Sequence, residues 1–200
     1  MSKAKYKRVF VDIDTQYDFI EAEGALYVSG AERLKPIFAK LFNYAREHHI
    51  PVIASADAHE IEDPEFKQFP PHCVKGTPGQ QKVNETQLHQ ALVIPNQKVT
   101  FDLNAHREVL IEKTVFDIFG NPNTESVFQH YQADEYVVFG VATDYCVCAA
   151  ALGLRQRNYS VSVLSDAIAA VSQEGHTEAR QKMLDAGIVF KTSKEILGVS

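Results

Sequence analysis

Two hundred residues, 45% hydrophobic and 23% charged, suffice for one globular domain that buries roughly 70% of the surface its unfolded chain would expose. A formal net charge of -6 with no basic block argues against nucleic acid or an anionic membrane as a partner and favours a small molecule. Three cysteines, at 73, 146 and 148, are odd in number and the last two lie too close along a helix to pair, which argues against a disulfide framework and for a reducing, cytoplasmic setting.

The basic start, Met1 to Arg8, runs into a strand whose apolar stretch of about five residues is too short for a signal-peptide core or a membrane span. That strand is read over Arg8 to Asp14. A helix follows, with Leu34, Ile37, Phe38, Leu41, Phe42 and Ala45 on one apolar face, Ser29 or Gly30 at its start, Pro36 in its first turns and Pro51 beyond its end. Further strands are expected at Pro51 to Ala56, Val109 to Lys113, Glu135 to Val141, Ser160 to Ser165 and Ile188 to Lys191. Helices are expected at Thr124 to Tyr131, Asp144 to Arg157 and Gln173 to Ala186, the last closed by Gly187. This alternation predicts a parallel sheet. Between Glu60 and Pro95 the chain is irregular and rich in proline, with one short helix expected around Glu85 to Leu92; stretches of that length tend to be functional.

In an open parallel sheet, ligands bind beyond the carboxyl ends of the strands, and four of these strands carry reactive side chains to that edge. Asp14 ends the first and is placed to exchange a proton with a neighbour, although it or Asp12 could equally brace the turn. Asp57-Ala58-His59, with His72 stiffened behind Phe69-Pro70-Pro71, offers one carboxylate and two imidazoles, a mixed set suited to zinc, iron or manganese. Glu65 is a further candidate ligand on that loop, whereas His48, His49, His89, His106, His130 and His176 read as surface or structural. Lys113 ends its strand where it can pair with Asp14 and lower the pKa of a thiol. Cys146 falls in the first turn of the helix expected after the fourth strand, with Thr143 or Asp144 as cap. There the unpaired N–H groups and the dipole favour a thiolate. A cysteine beside alanines also fits a small core hydrophobe, the reading kept for Cys148.

Together, Asp14-Thr15-Gln16-Tyr17-Asp18-Phe19, Asp57-Ala58-His59, Phe69-Pro70-Pro71-His72-Cys73-Val74-Lys75-Gly76-Thr77-Pro78-Gly79, Lys113 and Gly140-Val141-Ala142-Thr143-Asp144-Tyr145-Cys146-Val147 resemble, in order and over nearly the whole chain, the cysteine hydrolases of the isochorismatase-like superfamily. Within it the resemblance is strongest to the nicotinamidase/pyrazinamidase group. It implies a single domain over residues 1–200, an α/β fold of three layers (α/β/α) around a mostly parallel sheet, and a catalytic triad of Asp14, Lys113 and Cys146. It also implies a cis peptide between Val141 and Ala142, and an oxyanion hole made by the backbone N–H groups of Ala142 and Cys146. One divalent metal ion, zinc before iron or manganese, would sit on Asp57, His59 and His72. Some relatives place a third His in this loop and others a Glu, so Glu65 is the candidate fourth ligand. Phe19, Phe69 and Tyr145 would contact the substrate, with Phe69 standing where many relatives have Trp.

The implied activity is hydrolysis of nicotinamide to nicotinate and ammonia through a Cys146 thioester, a role in NAD salvage, without any organic cofactor. The alternatives are another hydrolase of the superfamily, acting on a small amide, a carbamoyl compound or isochorismate, and a non-catalytic ligand-binding member. The Asp-x-His and Pro-Pro-His pair argues against an isochorismatase, and the intact triad against a non-catalytic member. The resemblance leaves a homo-oligomer open.

Overall fold

The computed structural model describes residues 5–198, so Met1 to Ala4 of the basic start lie outside the described residues. Its frame is a seven-stranded parallel sheet: β1 (Tyr6–Ile13), β2 (Val52–Asp57), β3 (Leu92–Ile94), β4 (Glu108–Lys113), β5 (Ala133–Val141), β6 (Val161–Ala169) and β7 (Val189–Lys191). The spatial order is β3-β4-β2-β1-β5-β6-β7. The chain thus winds one way from β1 through β2 and the other way through β5. The point where the order reverses, between β1 and β5, is where such sheets open a crevice at their carboxyl edge.

Alternation along the central strands builds a core on each face. Val9, Val11, Ile13, Tyr136 and Val138 pack with Phe128 of α3 (Thr124–His130), Ala151 and Leu154 of α4 (Cys148–Gln156) and Met183 of α5 (Gln173–Asp185). Phe10, Val137, Phe139 and Val141 face the other way, against Phe38, Leu41 and Phe42 of α2 (Lys35–Glu47) and Ile196 of α6 (Ser193–Leu197). Each such large apolar side chain removed from water contributes about 1.5–3 kcal/mol, which fixes the register of the strands. A further helix, α1 (Tyr17–Ile20), is a single turn shortly after β1.

The expected strands are present, with β6 running on to Ala169, and α2 has the predicted apolar face with Pro36 in its first turn. Two readings are corrected. No helix spans Glu85 to Leu92: Asn84–Thr86 form one 3₁₀ turn, and Leu92–Ile94 pair with β4 as the edge strand β3. Three residues alternating around Val93 carry too little period to separate a strand from a helix end. The helix expected over Asp144 to Arg157 is split into a π-helical turn, Thr143–Val147, and α4, and neither Thr143 nor Asp144 caps it. The Asp144 carboxylate instead accepts from the backbone N–H groups of Val171 (3.0 Å) and Ser172 (3.1 Å). No helix among the described residues is long and apolar enough to cross a membrane.

Candidate active site

Asp14 follows β1 directly, with φ 49°, and is fully buried. β2 and β4 are in register at their last residues, so Asp57 and Lys113 end side by side. The Lys113 ammonium lies 2.5 Å from Asp57 Oδ1, 2.8 Å from Asp14 Oδ2 and 3.5 Å from Cys146 Sγ. Two carboxylates, a thiol and one cation therefore meet in a pocket from which water is almost excluded. The cation is held there by Coulomb attraction: burial disfavours its charge, but Asp14 and Asp57 outweigh burial and push the Lys113 pKa well up. Burial would likewise raise Asp57, yet Lys113 and His59 hold that carboxyl below the usual value.

Cys146 reaches this cluster from the π-helical turn. The Ala142 carbonyl accepts from both Tyr145 N–H and Val147 N–H, each at 3.1 Å, and the wider turn carries the thiol toward Lys113 and Asp14. The peptide from Val141 to Ala142 is cis, as expected. Gly140, with φ 120°, lies next to last in β5 and so close to β1 that a Cβ would stand 2.0 Å from the Ile13 carbonyl oxygen, which no other residue tolerates.

The expected lowering of the thiol pKa is not found. Burial pushes the Cys146 thiol well up, and the attraction of Lys113 is set against the repulsion of Asp14 and Asp57. A helix end stabilises an anion by about 1 kcal/mol at an exposed site, too little to offset full desolvation beside two carboxylates. The resting group is a thiol, and its chemistry requires a base; Asp14 is within reach.

A second cluster adjoins the first. His59 Nε2 is 3.8 Å from Asp57 Oδ2, and His72 Nε2 is 4.0 Å from both Asp57 Oδ2 and Glu65 Oε1. His72 Nδ1 is bonded to the Pro70 carbonyl at 2.9 Å, so its N–H is used there and Nε2 is the ring atom turned to the carboxylates. His59 is fully buried with no hydrogen-bond partner on Nε2, among the described residues. An imidazole nitrogen orphaned in this way beside carboxylates fits a cation. Its surroundings already attract positive charge: against the effect of burial, Asp57 and Asp63 raise the His59 pKa. The Asp57, His59 and His72 ligand atoms lie within 4.8 Å of one another; Glu65, on a 3₁₀ turn, Pro64–Lys67, stands 4.0 Å from His72 and forms a second such group with His59 and Asp63.

Both clusters reach one cleft, lined by Asp57, Glu65 and His72, by Val141, Ala142 and Cys146, and by Phe19, Phe69 and Tyr145. All three aromatic residues named from the sequence therefore face it, Phe69 and Tyr145 edge to face at 6.2 Å. Leu26, Tyr27, Val28, Phe116 and Val171 complete the wall and were not anticipated, because single apolar residues in loops carry no period. Among the described residues, none lining the cleft is Lys or Arg.

Sequence reasoning also missed the supports. The Gln16 side chain donates to the Asp57 carbonyl and accepts from the Asp57 N–H, both at 2.8 Å, locking the end of β2. Asp18 accepts from Cys73 N–H at 2.7 Å, next to His72. Asp63 stands 3.0 Å from His59 Nδ1. The spacing of Asp14, Gln16 and Asp18 was the available signal for the first two, and the four-residue step from His59 to Asp63 for the third. The remaining histidines are exposed or half-buried and Cys148 is buried, as read.

Residues 8–195 match the model of the isochorismatase domain. The chain is 29% identical over 188 residues to the nicotinamidase/pyrazinamidase of Mycobacterium tuberculosis, covering 90% of this chain and 96% of that protein. It is 28% identical over 193 residues to a probable inactive nicotinamidase of Arabidopsis thaliana, covering 92% and 91%. Among solved structures, a pyrazinamidase of Pyrococcus horikoshii in complex with zinc superposes with a TM-score of 0.79 at 23% identity, over 93% of this chain and 99% of that one. A domain match that begins in β1, ends in α6 and takes in every residue of the two clusters makes this chain a member of the isochorismatase family.

Proposed function

We propose that this protein is a metal-dependent cysteine amidohydrolase acting on nicotinamide or a close analogue. The observation that carries this reading is the buried contact of Asp14, Lys113 and Cys146 beneath a cleft with no cationic side chain in its wall. A neutral aromatic amide suits that wall; an anionic substrate such as isochorismate finds no cationic side chain there. One relative is described as inactive, so the reading rests on this chain's own groups, all three of which are within reach of one another.

Asp14 takes the proton of the Cys146 thiol while Lys113 offsets the charge gathered between them. The thiolate attacks the carboxamide carbon, and the backbone N–H groups of Ala142 and Cys146 receive the oxyanion. Ammonia leaves with the proton returned by Asp14. A water deprotonated by Asp14 then cleaves the thioester, nicotinate is released, and the proton goes back to Cys146. Phe19, Phe69 and Tyr145 hold the ring, which positions the amide over the sulfur. Asp57, His59, His72 and Glu65 would hold a divalent cation, zinc in the first instance, which when bound supplies a Lewis acid to anchor a ring nitrogen.

Purified protein given nicotinamide, pyrazinamide and isochorismate separately is expected to release ammonia from the first two and no pyruvate from the third. Pyruvate from isochorismate, or no ammonia from either amide, overturns the reading. Elemental analysis is expected to find about one divalent metal per chain, with affinity lowered more than about tenfold in His59→Ala and in Glu65→Ala. Unchanged metal content in both variants removes the site.

A further inference from the structure

Behind the reacting groups lies a buried polar assembly that the reaction does not use. Asp12 and Ser55 are buried, and Lys82 nearly so; the Lys82 ammonium is 2.7 Å from Asp12 Oδ2 and donates to the Ser55 carbonyl at 3.1 Å. Thr15 closes the other side of Asp12, donating to its carboxylate at 2.9 Å. An ion pair this deeply buried adds little stability over apolar side chains of the same volume, so what it secures is geometry. The segment it secures is Ser55, on β2.

Ser55 makes two bonds to one residue. Its Oγ accepts from the Asp14 N–H at 3.3 Å and donates to Asp14 Oδ1 at 2.6 Å. A hydroxyl has one proton, so this closes a ring that fixes the Asp14 main chain and carboxylate together and commits Oδ1. Oδ2 alone remains. It is buried, stands 2.8 Å from the Lys113 ammonium, and receives no hydrogen bond of good geometry among the described residues. Asp14 also lies with Cys146 and Asp57 in a group whose ligand atoms fall within 4.8 Å of one another.

We propose that Ser55 is a positioning residue for this reaction, whose hydroxyl selects Oδ2 of Asp14 as the atom that receives the Cys146 proton. The inference rests on the amidohydrolase reading above for its consequence in turnover, but not for its test on the thiol. Ser55 does not line the cleft, so its loss leaves substrate binding alone. Without the hydroxyl, the carboxylate turns to share both oxygens with Lys113, and a displacement of about 1 Å in such a pair costs on the order of 100-fold in rate.

The experiment compares wild type, Ser55→Ala and Ser55→Thr, metal-loaded and matched for folded fraction by thermal melt. The first readout is alkylation of Cys146 by iodoacetamide, followed by peptide mass: the thiol proton passes to Asp14, sulfur bonds to carbon, and iodide leaves. It needs no amide substrate, so it judges Ser55 even if nicotinamide is not turned over. Alkylation is expected to slow about tenfold or more in Ser55→Ala and to recover in Ser55→Thr, which restores the donor. With turnover, kcat is expected to fall about 10- to 100-fold with KM within twofold of wild type. Equal alkylation rates in wild type and Ser55→Ala, whether fast or undetectable, overturn the proposal, as does a loss that appears only in KM. Should Ser55→Ala fail to fold, Ser55→Cys, of similar size with a weaker donor, takes its place; an intermediate rate supports the proposal and a wild-type rate overturns it.

Discussion

Cys146→Ala is expected to abolish ammonia release, by at least about 10⁴-fold in kcat, or roughly 5.5 kcal/mol of transition-state stabilisation. The variant retains the fold. The thiol it removes is buried and uncharged at rest, so the truncation leaves only a small cavity, costing about 1 kcal/mol. Binding is expected to survive as well, because Phe19, Phe69 and Tyr145 form their part of the cleft without it. Cys146→Ser separates volume from nucleophilicity: it fills the space, yet an alcohol gives its proton to a carboxylate far less readily than a thiol does, and it too is expected to be inactive. Ammonia release that persists in Cys146→Ala, measured by an ammonia-coupled assay on protein free of wild type, would end the thioester mechanism.

Lys113→Met should be the most damaging change to the fold among the reacting groups. It leaves Asp14 and Asp57, both buried, without the cation that stands 2.8 Å and 2.5 Å from them. Removing one partner of such an assembly costs about 3–5 kcal/mol, on the order of 10 °C in Tm for a chain of this length, and activity is lost with it. The dependence on pH follows from Asp57. In the parent protein Lys113 and His59 hold its pKa below the usual value against burial, so its share of stability is present above the unfolded-state pKa and is lost as pH falls through the folded one. In the variant burial prevails and the folded pKa is raised, so its contribution is present at low pH and is lost as pH rises. The Tm deficit of Lys113→Met, taken on chelator-treated protein, is therefore expected to be largest near pH 8 and to shrink toward pH 5. A deficit independent of pH would show that Lys113 acts by packing alone.

The parts of this structure that the sequence disclosed are those with a period or a motif. Strands rich in Val, Ile and Phe, and the spaced apolar face of α2, announce themselves because burial on one or both sides of an element imposes a repeat. Asp14, Lys113 and Cys146 were legible because each sits at, or within a few residues of, the carboxyl end of such a strand. What stayed hidden has no local signature. Lys82 lies in an irregular stretch and owes its role to Asp12, seventy residues away; Phe116 and Val171 enter the cleft only because two crossovers begin beside it. The thiol pKa was misjudged for a related reason. A helix end can be read from neighbours in the chain, but desolvation depends on everything packed around the sulfur.

The irregular stretch between β2 and β3 has no helix longer than a turn, yet four of its tethers run to one short segment. Asp18 holds Cys73, Gln16 holds the Gln80 carbonyl at 2.8 Å, Thr15 meets Thr86 at 2.8 Å, and Asp12 holds Lys82. Gly79 passes so close to the Asp18 carboxylate that a Cβ would fall 2.1 Å from it, leaving no slack at that point. Between Cys73 and Thr86 the loop is thus anchored every few residues to the segment from Asp12 to Asp18. The Cys73 N–H, bonded to the buried Asp18 carboxylate, is therefore expected to exchange with solvent only when that segment gives way, which ties this part of the loop to the cooperative unit of the core.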